Sequence, residues 1–393
     1  MTDVLVVGAG PAGAATAILL AERGLEVLVL DRAAFPRPKI CGEYVSPEAA
    51  RVLDRLGVLK ALDAAGAVPL AGMRITAPDG RTIEARYRPV GPWRPYRDHA
   101  LALPRETFDA TLADRLRLAP VDFRERVRVT DVVVEDGRVT GVDAVGADGT
   151  TRRFTARLVV AADGRASVVA QKLGLRRAHR LQRMALVTYL GGLRDVADVG
   201  EIFVDPPDYV ILNPVTPGRV NMSLVVPLAD AARFSDRPET FFTARVKQLR
   251  HVARRVAGAD ITARIRALGP LAYRVAPPNV GGVLLVGDAA GFYDPFTGEG
   301  VFTALRSAEL AADTAATALR AGDCSVTALA AYERTRRAIF AGKARLTHAL
   351  QLAIRHRRLA NFTARVLAGR PAMLDTLLGV IGDFVPPRAL LSR

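Results

Sequence analysis

The 393 residues are half hydrophobic, enough to bury a large core spread over two or three domains or subdomains. Only two cysteines, Cys41 and Cys324, exclude a disulfide framework, and no apolar run approaches the roughly 20 residues of a spanning helix. The formal charge of +15 is concentrated late, with twelve Arg or Lys against Glu333, Asp375 and Asp383 in residues 331–393. No helix-turn-helix, zinc finger or stacking motif accompanies it, so nucleic acid is not an expected partner and solvated helix faces account for most of it.

The first predicted strand is Val4–Val7, and it begins too early to leave room for a signal peptide, so a cytoplasmic protein is expected. "GAGPAG" follows. Gly8 permits the tight turn, Gly10 lets backbone approach a pyrophosphate, and Gly13 lets the next helix pack on the sheet. Pro11 and Ala12 open that helix, expected to run from Ala12 to Arg23 and to stop at Gly24 in the left-handed cap position. Its N-terminal N–H groups suit phosphate. A second strand, Leu25–Leu30, ends at Asp31 and Arg32, where the carboxylate can accept hydrogen bonds from an adenosine ribose. The dinucleotide is FAD or NAD on this motif alone.

Helices are predicted around Pro47–Ala65 and at Leu112–Leu118, and a hairpin over Met73–Tyr87 turns at Asp79-Gly80. Val127–Val134, Val139–Val145 and Thr151–Val160 read as a meander joined through Asp136-Gly137 and Asp148-Gly149. From Leu181 the strands lengthen. The stretch from Glu201 to Leu228 reads as a hairpin turning at Thr216-Pro217-Gly218, with one polar face and the capacity to roof a cavity. A helical stretch, Glu239–Val256, covers that sheet, and the segment from Tyr332 to Gly382 is helical.

The stretch "VLLVGDAAGFYDPFTGEG" (Val283–Gly300) carries the most chemistry. A buried strand delivers Gly287 and Asp288 to its C-terminal end, where an aspartate suits the ribityl hydroxyls of FAD. Pro295 and Gly298 shape the loop, and Glu299, Gly300 and Val301 open a helix whose N–H groups would stabilise negative charge on a reduced flavin. With "GAGPAG" and "ADGRAS" (Ala162–Ser167), this stretch resembles the FAD-dependent oxidoreductases of the p-hydroxybenzoate hydroxylase-like fold, and among them the geranylgeranyl reductase group. "PRPKICGEYVSP" (Pro36–Pro47) is similar to that group's segment beside the flavin. The resemblance implies an α/β two-domain flavoprotein: a Rossmann-type FAD domain with a β-meander insertion, an antiparallel-sheet substrate domain and a helical C-terminus. The expected division is 1–70, 98–180 and 278–330 for FAD, 71–97 and 181–277 for substrate, and 331–393 for the C-terminal helices.

The resemblance also implies site residues. Lys39, Cys41, Gly42, Arg105, Val127, Asp163 and Gly164 join the cofactor set, with Arg105 against the FAD phosphates. Cys41, Glu299 and Tyr209 are the candidate catalytic groups. The strand "YVILNP" places Tyr209, Ile211 and Asn213 on one face, as a mostly apolar substrate wall with polar anchors. It departs from the reductase group's Tyr-x-Trp-x-Phe-Pro, which argues against a C20 prenyl chain. The only tryptophan is Trp93, which argues against halogenation. Five scattered histidines show no ligand spacing, so no metal is assigned.

The expected activity is NAD(P)H-linked reduction of a C=C bond in a medium-sized hydrophobic or phenolic metabolite. A nicotinamide donor would visit transiently, because the one G-x-G-x-x-G is taken by FAD. The alternatives are a monooxygenase acting through a flavin C4a-hydroperoxide, and a flavin electron carrier without a substrate. The apolar stripe Phe340, Leu346, Leu350, Ile354 and Phe362 among C-terminal arginines is expected mainly to pack on the flavin domain, with weak contact to an anionic membrane as its other use.

Overall fold

The computed structural model describes residues 2–232 and 237–392. Its first layer is a seven-stranded sheet. Strands Asp122–Arg124, Val27–Leu30, Thr2–Val7, Thr151–Ala161 and Val283–Leu285 run parallel to one another, and Arg138–Val145 and Arg128–Glu135 continue antiparallel. One strand makes this possible. The C-terminal half of Thr151–Ala161 pairs with Thr2–Val7 and Val283–Leu285, while its N-terminal half pairs with the meander. The strand burial changes with it, from exposed at Thr151 to fully buried at Leu158–Ala161, as a parallel sheet covered on both faces requires.

Helices Pro11–Ala21 and Gly300–Arg320 cover one face of that sheet, and their alanines let the two approach closely. The predicted first helix is shorter than its Ala12–Arg23 pattern, and Gly24 takes φ +78° just beyond it. Asp136 and Gly137 both have positive φ, 47° and 72°, as a two-residue hairpin turn demands. The expected Leu112–Leu118 helix is the end of a longer one, Arg105–Arg117.

A second sheet of eight strands is ordered Asp260–Ile261, Arg183–Gly191, Arg219–Pro227, Asp208–Thr216, Val199–Asp205, Gly72–Thr76, Thr82–Arg86, with Arg266–Leu268 beside Arg183–Gly191. The hairpin Gly72–Arg86 joins it through a parallel pairing with Val199–Asp205. The expected polar face is present, with Tyr209, Asn213, Asn221 and Ser223 on it, but it is buried. Asp208–Thr216 and Arg219–Pro227 are buried along nearly their whole length. Helices Pro238–Gln248 and Arg250–Arg255 pack Phe241, Phe242, Leu249 and Val252 on one face. The other face meets Phe296, Ile354 and Ala360. Three helices, Val326–Ala353, Arg357–Ala368 and Pro371–Ile381, complete the described chain. None is long and apolar enough to cross a membrane among the described residues.

Candidate active site

The cradle begins at the glycines. A Cβ on Gly13 would lie 1.8 Å from the Gly8 carbonyl oxygen, and one on Gly8, at φ +95°, would lie 2.7 Å from that of Ala162. Both are packing glycines. Gly10 differs: a Cβ there meets nothing nearer than Arg37, at 3.8 Å, so its space is open to a ligand. The helix that follows starts with Pro11 at its first position, has no side-chain cap and no acid in its first turn. Its free N–H groups and partial positive charge therefore await an external anion.

Asp31 stands at the end of the second strand, as expected. Its carboxylate accepts from the Ala9 and Ala33 N–H groups at 2.7 and 2.8 Å, which aligns it beside the glycine turn. The Val127 N–H donates to the Asp31 carbonyl oxygen at 2.9 Å, bringing Val127 to the same end, while Arg32 next door is exposed.

Around the phosphate position stand three cations. Arg105 is buried and forked onto Asp109, with Nε and Nη2 at 2.7–3.0 Å from its oxygens. Burial alone would lower its pKa, but Asp109 and Cys41 outweigh that and hold the guanidinium charged. Arg37 reaches the other side of Asp109 at 3.4 Å. Burial and then Arg105 push the Lys39 pKa down, against attraction from Asp288 and Asp109, so Lys39 lies between the cradle and the late loop. Asp109 was absent from the sequence reading, although its i, i+4 spacing from Arg105 on one helix was a usable signal.

On the far side, Asp163 ends the long central strand. Its Oδ2 accepts the Val168 N–H at 2.7 Å, while Oδ1 is buried without a partner, and burial raises its pKa. Gly164 takes φ +75°. Gly287, at φ +55°, presses against Ala12 and Ala304, which locks the two nucleotide-facing helices together. The Asp288 carboxylate has no hydrogen bond among the described residues, and its carbonyl accepts the Tyr273 hydroxyl at 2.5 Å. Gly298 is left-handed, φ +63°, where Tyr44 leaves no room for a side chain. Pro295 opens the short turn before it. Glu299 caps helix Gly300–Arg320 through its backbone only, with no acid in the first turn, so the N–H groups of Gly300 and Val301 remain free. Burial pushes the Glu299 carboxyl up, with Lys343 opposing and Asp383 and Asp294 adding.

These features fit FAD. Two uncapped helix N-termini, an open glycine, a buried arginine and an orphaned Asp163 oxygen gather at the C-terminal ends of the parallel strands. A family model for the FAD binding domain matches residues 1–346. The chain belongs to this family of FAD-dependent oxidoreductases. Within the family it is geranylgeranyl reductase-like. It is 31% identical over 350 residues to the digeranylgeranylglycerophospholipid reductase of Methanospirillum hungatei JF-1, covering 87% of this chain and 82% of that one. The corresponding reductase of Methanosarcina mazei is 30% identical over 339 residues, covering 83% and 78%. Among solved structures, the myxobacterial chondrochloren halogenase CndH, an FAD-dependent enzyme, superposes with a TM-score of 0.83 at 26% identity, covering 94% and 90%. The cofactor of this flavoprotein is FAD.

The residues expected to hold substrate have other partners. Tyr209 is fully buried, and its hydroxyl donates to Asp294 Oδ1 at 2.7 Å. The Asn213 amide donates to the Gly42 carbonyl at 2.8 Å, and Asn221 donates to the Cys41 carbonyl at 3.0 Å. The shared strand face thus grips the Cys41–Gly42 backbone. Ile211 is buried on that face. The enclosed apolar cavity lies farther along the same sheet. Met73, Ile75, Ile83 and Ile202 line it, with Phe296 of the flavin loop and leucines of helix Pro371–Ile381. Tyr209, Ile211 and Asn213 do not line it, because the sheet's buried second face carries them into packing and hydrogen bonds.

Glu43, next to Cys41-Gly42, was not singled out in the sequence. It is 2% exposed and holds a left-handed φ of 57°, a strained conformation for a residue with a side chain. Its Oε1 accepts from the Tyr189 hydroxyl at 2.6 Å and the Arg105 N–H at 2.8 Å, and Oε2 accepts from Asn221 at 3.0 Å. Burial pushes its pKa up against those three donors. The Glu43 N–H donates to Cys41 Sγ at 3.3 Å. Three donors from three distant segments thereby fix the turn that presents Cys41 beside Arg105.

Proposed function

We propose that the enzyme saturates a C=C bond of a lipophilic substrate, using FAD reduced by NAD(P)H. The cavity carries this reading. Its walls are aliphatic side chains and one phenylalanine, with no charged group, and Phe296 connects it to the flavin loop. Such a lining favours hydrocarbon over a sugar or nucleotide. The names of the two reductase relatives, which act on an isoprenoid lipid, support the same class. The cavity is small, about 20 Å³, so a substrate tail enters it only as the leucines of helix Pro371–Ile381 shift.

Bound FAD supplies hydride chemistry. The chain's own residues supply position, charge and a proton. Arg105, Lys39 and the helix beginning at Pro11 hold the phosphates, and the helix beginning at Gly300 faces the redox edge. The proton that completes the reduction comes from Cys41 or Glu299, because the Tyr209 hydroxyl is committed to Asp294. Glu299 is suited to hold one, since burial raises its pKa.

The test is an anaerobic single turnover of NAD(P)H-reduced enzyme with shorter prenyl lipids beside a geranylgeranyl one, since Ile211 and Asn213 argue against a C20 chain, followed by mass spectrometry. A product heavier by two hydrogens, formed as the flavin reoxidises, supports the reductase. A product that gains one oxygen atom, and forms only after an oxygen pulse, replaces this reading with a monooxygenase.

A further inference from the structure

From residue 334 to 374 the chain has ten Arg or Lys and no Asp or Glu. Four of these cations are paired: Arg336 and Arg337 with Glu333, Lys343 with Asp383, and Arg357 with Asp205. Arg334, Arg345, Arg355, Arg358, Arg365 and Arg370 make no ion pair among the described residues. Solvated arginines elsewhere on this protein do find carboxylates, as Arg86 finds Asp198 and Arg97 finds Asp63. The C-terminal helices therefore present a strongly cationic surface, with Asp205 and Asp79 at its edge.

Apolar side chains are exposed within that field. Leu352 is 55% exposed, Leu359 37% and Phe362 59%. At about 100° per residue, helix Arg357–Ala368 carries two apolar stripes. Ala360, Ala364 and Leu367 form one, and it is buried. Leu359, Phe362 and Val366 form the other on the opposite side, rimmed by Arg358 and Arg365. A helix that only packs on its own domain needs one stripe. Of the C-terminal stripe expected to pack on the flavin domain, Phe340 does so against Phe302, but Ile354, Leu346 and Leu350 pack mainly against the second sheet, and Phe362 points away.

We propose that this corner, from Leu352 through Val366, docks on an anionic lipid bilayer, with Leu359 and Phe362 among the acyl chains and the unpaired arginines at the phosphates. A cationic flank beside an exposed apolar stripe is the pattern of an interfacial helix. A folded protein partner would have to offer a strongly anionic face. The next helix supplies the reason for docking. Pro371–Ile381 follows the interfacial helix after a two-residue link and forms a wall of the cavity with Leu374, Leu377, Leu378 and Ile381. A lipid leaving the bilayer at this corner is at the cavity wall. The inference builds on the lipophilic-substrate reading, but its test contains no substrate, so the two fail separately.

Full-length FAD-loaded enzyme is sedimented with vesicles of phosphatidylcholine alone or mixed with phosphatidylglycerol, at low and high salt. Binding is expected to the mixed vesicles only, and to weaken about tenfold or more at high salt. Arg355→Glu with Arg358→Glu, and separately Leu359→Ser with Phe362→Ser, should each weaken it roughly tenfold. FAD content and melting temperature should stay unchanged, because all four side chains are exposed. No binding to the mixed vesicles at low salt, or binding that survives both double variants, overturns the proposal.

Discussion

The two ends of the flavin site are built by different means. The nucleotide end is made of backbone: glycines without room for a Cβ, an open helix N-terminus, and a strand end that carries an acid. The end toward the sheet is made of side chains that meet across long stretches of chain. Asn213 reaches Gly42, Tyr189 reaches Glu43, and Tyr209 reaches Asp294, at sequence separations of 171, 146 and 85. Backbone sites announce themselves in a short motif. Sites held by long-range side-chain pairs leave no local trace, and they are free to change partners and substrate while the cofactor stays.

The sharpest way to break the comparison is within the motif itself. Gly13→Ala places a carbon 1.8 Å from a carbonyl oxygen and should prevent folding, read as loss of soluble protein. Gly10→Trp should leave the melting temperature of the apoprotein intact but abolish the flavin absorbance, because its side chain fills the ligand's space. If both lose only FAD, the distinction between packing and ligand glycines is wrong.

The sheet end should respond in stability before cofactor content. Glu43→Ala strands three buried donors at a cost of about 2–5 kcal/mol, and Glu43→Gln should recover part of it in urea unfolding. Equal losses for the two variants would mean that the carboxylate network is not what holds the turn.

Asp294 gives a pH signature. Burial raises its pKa from 3.8 to about 6, with Tyr209 and Arg183 only partly opposing. The folded state thus favours the protonated form. Below the unfolded value both states are neutral and no penalty exists. The penalty grows from there to about pH 6 and is then constant, at about 3 kcal/mol. The wild type should gain stability relative to Asp294→Asn as the pH falls through 6 toward 4. A stability difference that is flat with pH would show that Asp294 stays ionised. The smallest effect is expected for Asn213→Ala, about 1 kcal/mol. One hydrogen bond to Gly42 is lost, but a buried amide oxygen without a partner goes with it.

The sequence pattern made the order of elements legible almost throughout, because the alternation of apolar residues and the Asp-Gly turns are local. The placement of Gly8, Gly10, Gly13, Asp31, Asp288 and the helix at Gly300 at the strand ends was equally legible. The burial of both sheet faces was not, since alternation along Asp208–Thr216 says which residues share a face but not what covers the second one. Here the flavin loop and C-terminal helices cover it. Asp109 could have been found from its spacing to Arg105. Glu43 and Asn221 could not, because their contact is made only when the second sheet closes over residues 41–43.

The central strand also sets a schedule. Thr151–Ala161 acquires its last parallel neighbour only when Val283–Leu285 has emerged, and the Tyr332 hydroxyl then donates to the Leu285 carbonyl at 2.6 Å. The helix at Gly300 comes between the two. A ribosome adding about 5–20 residues per second therefore spends roughly 15–60 s before a complete flavin cradle exists, although its first motif is made within seconds. During that interval the early strands wait with an open edge, so slowed translation of the last third should show as aggregation of nascent chains, whereas low flavin supply acts only on the completed cradle and should show as a pool of finished apoenzyme.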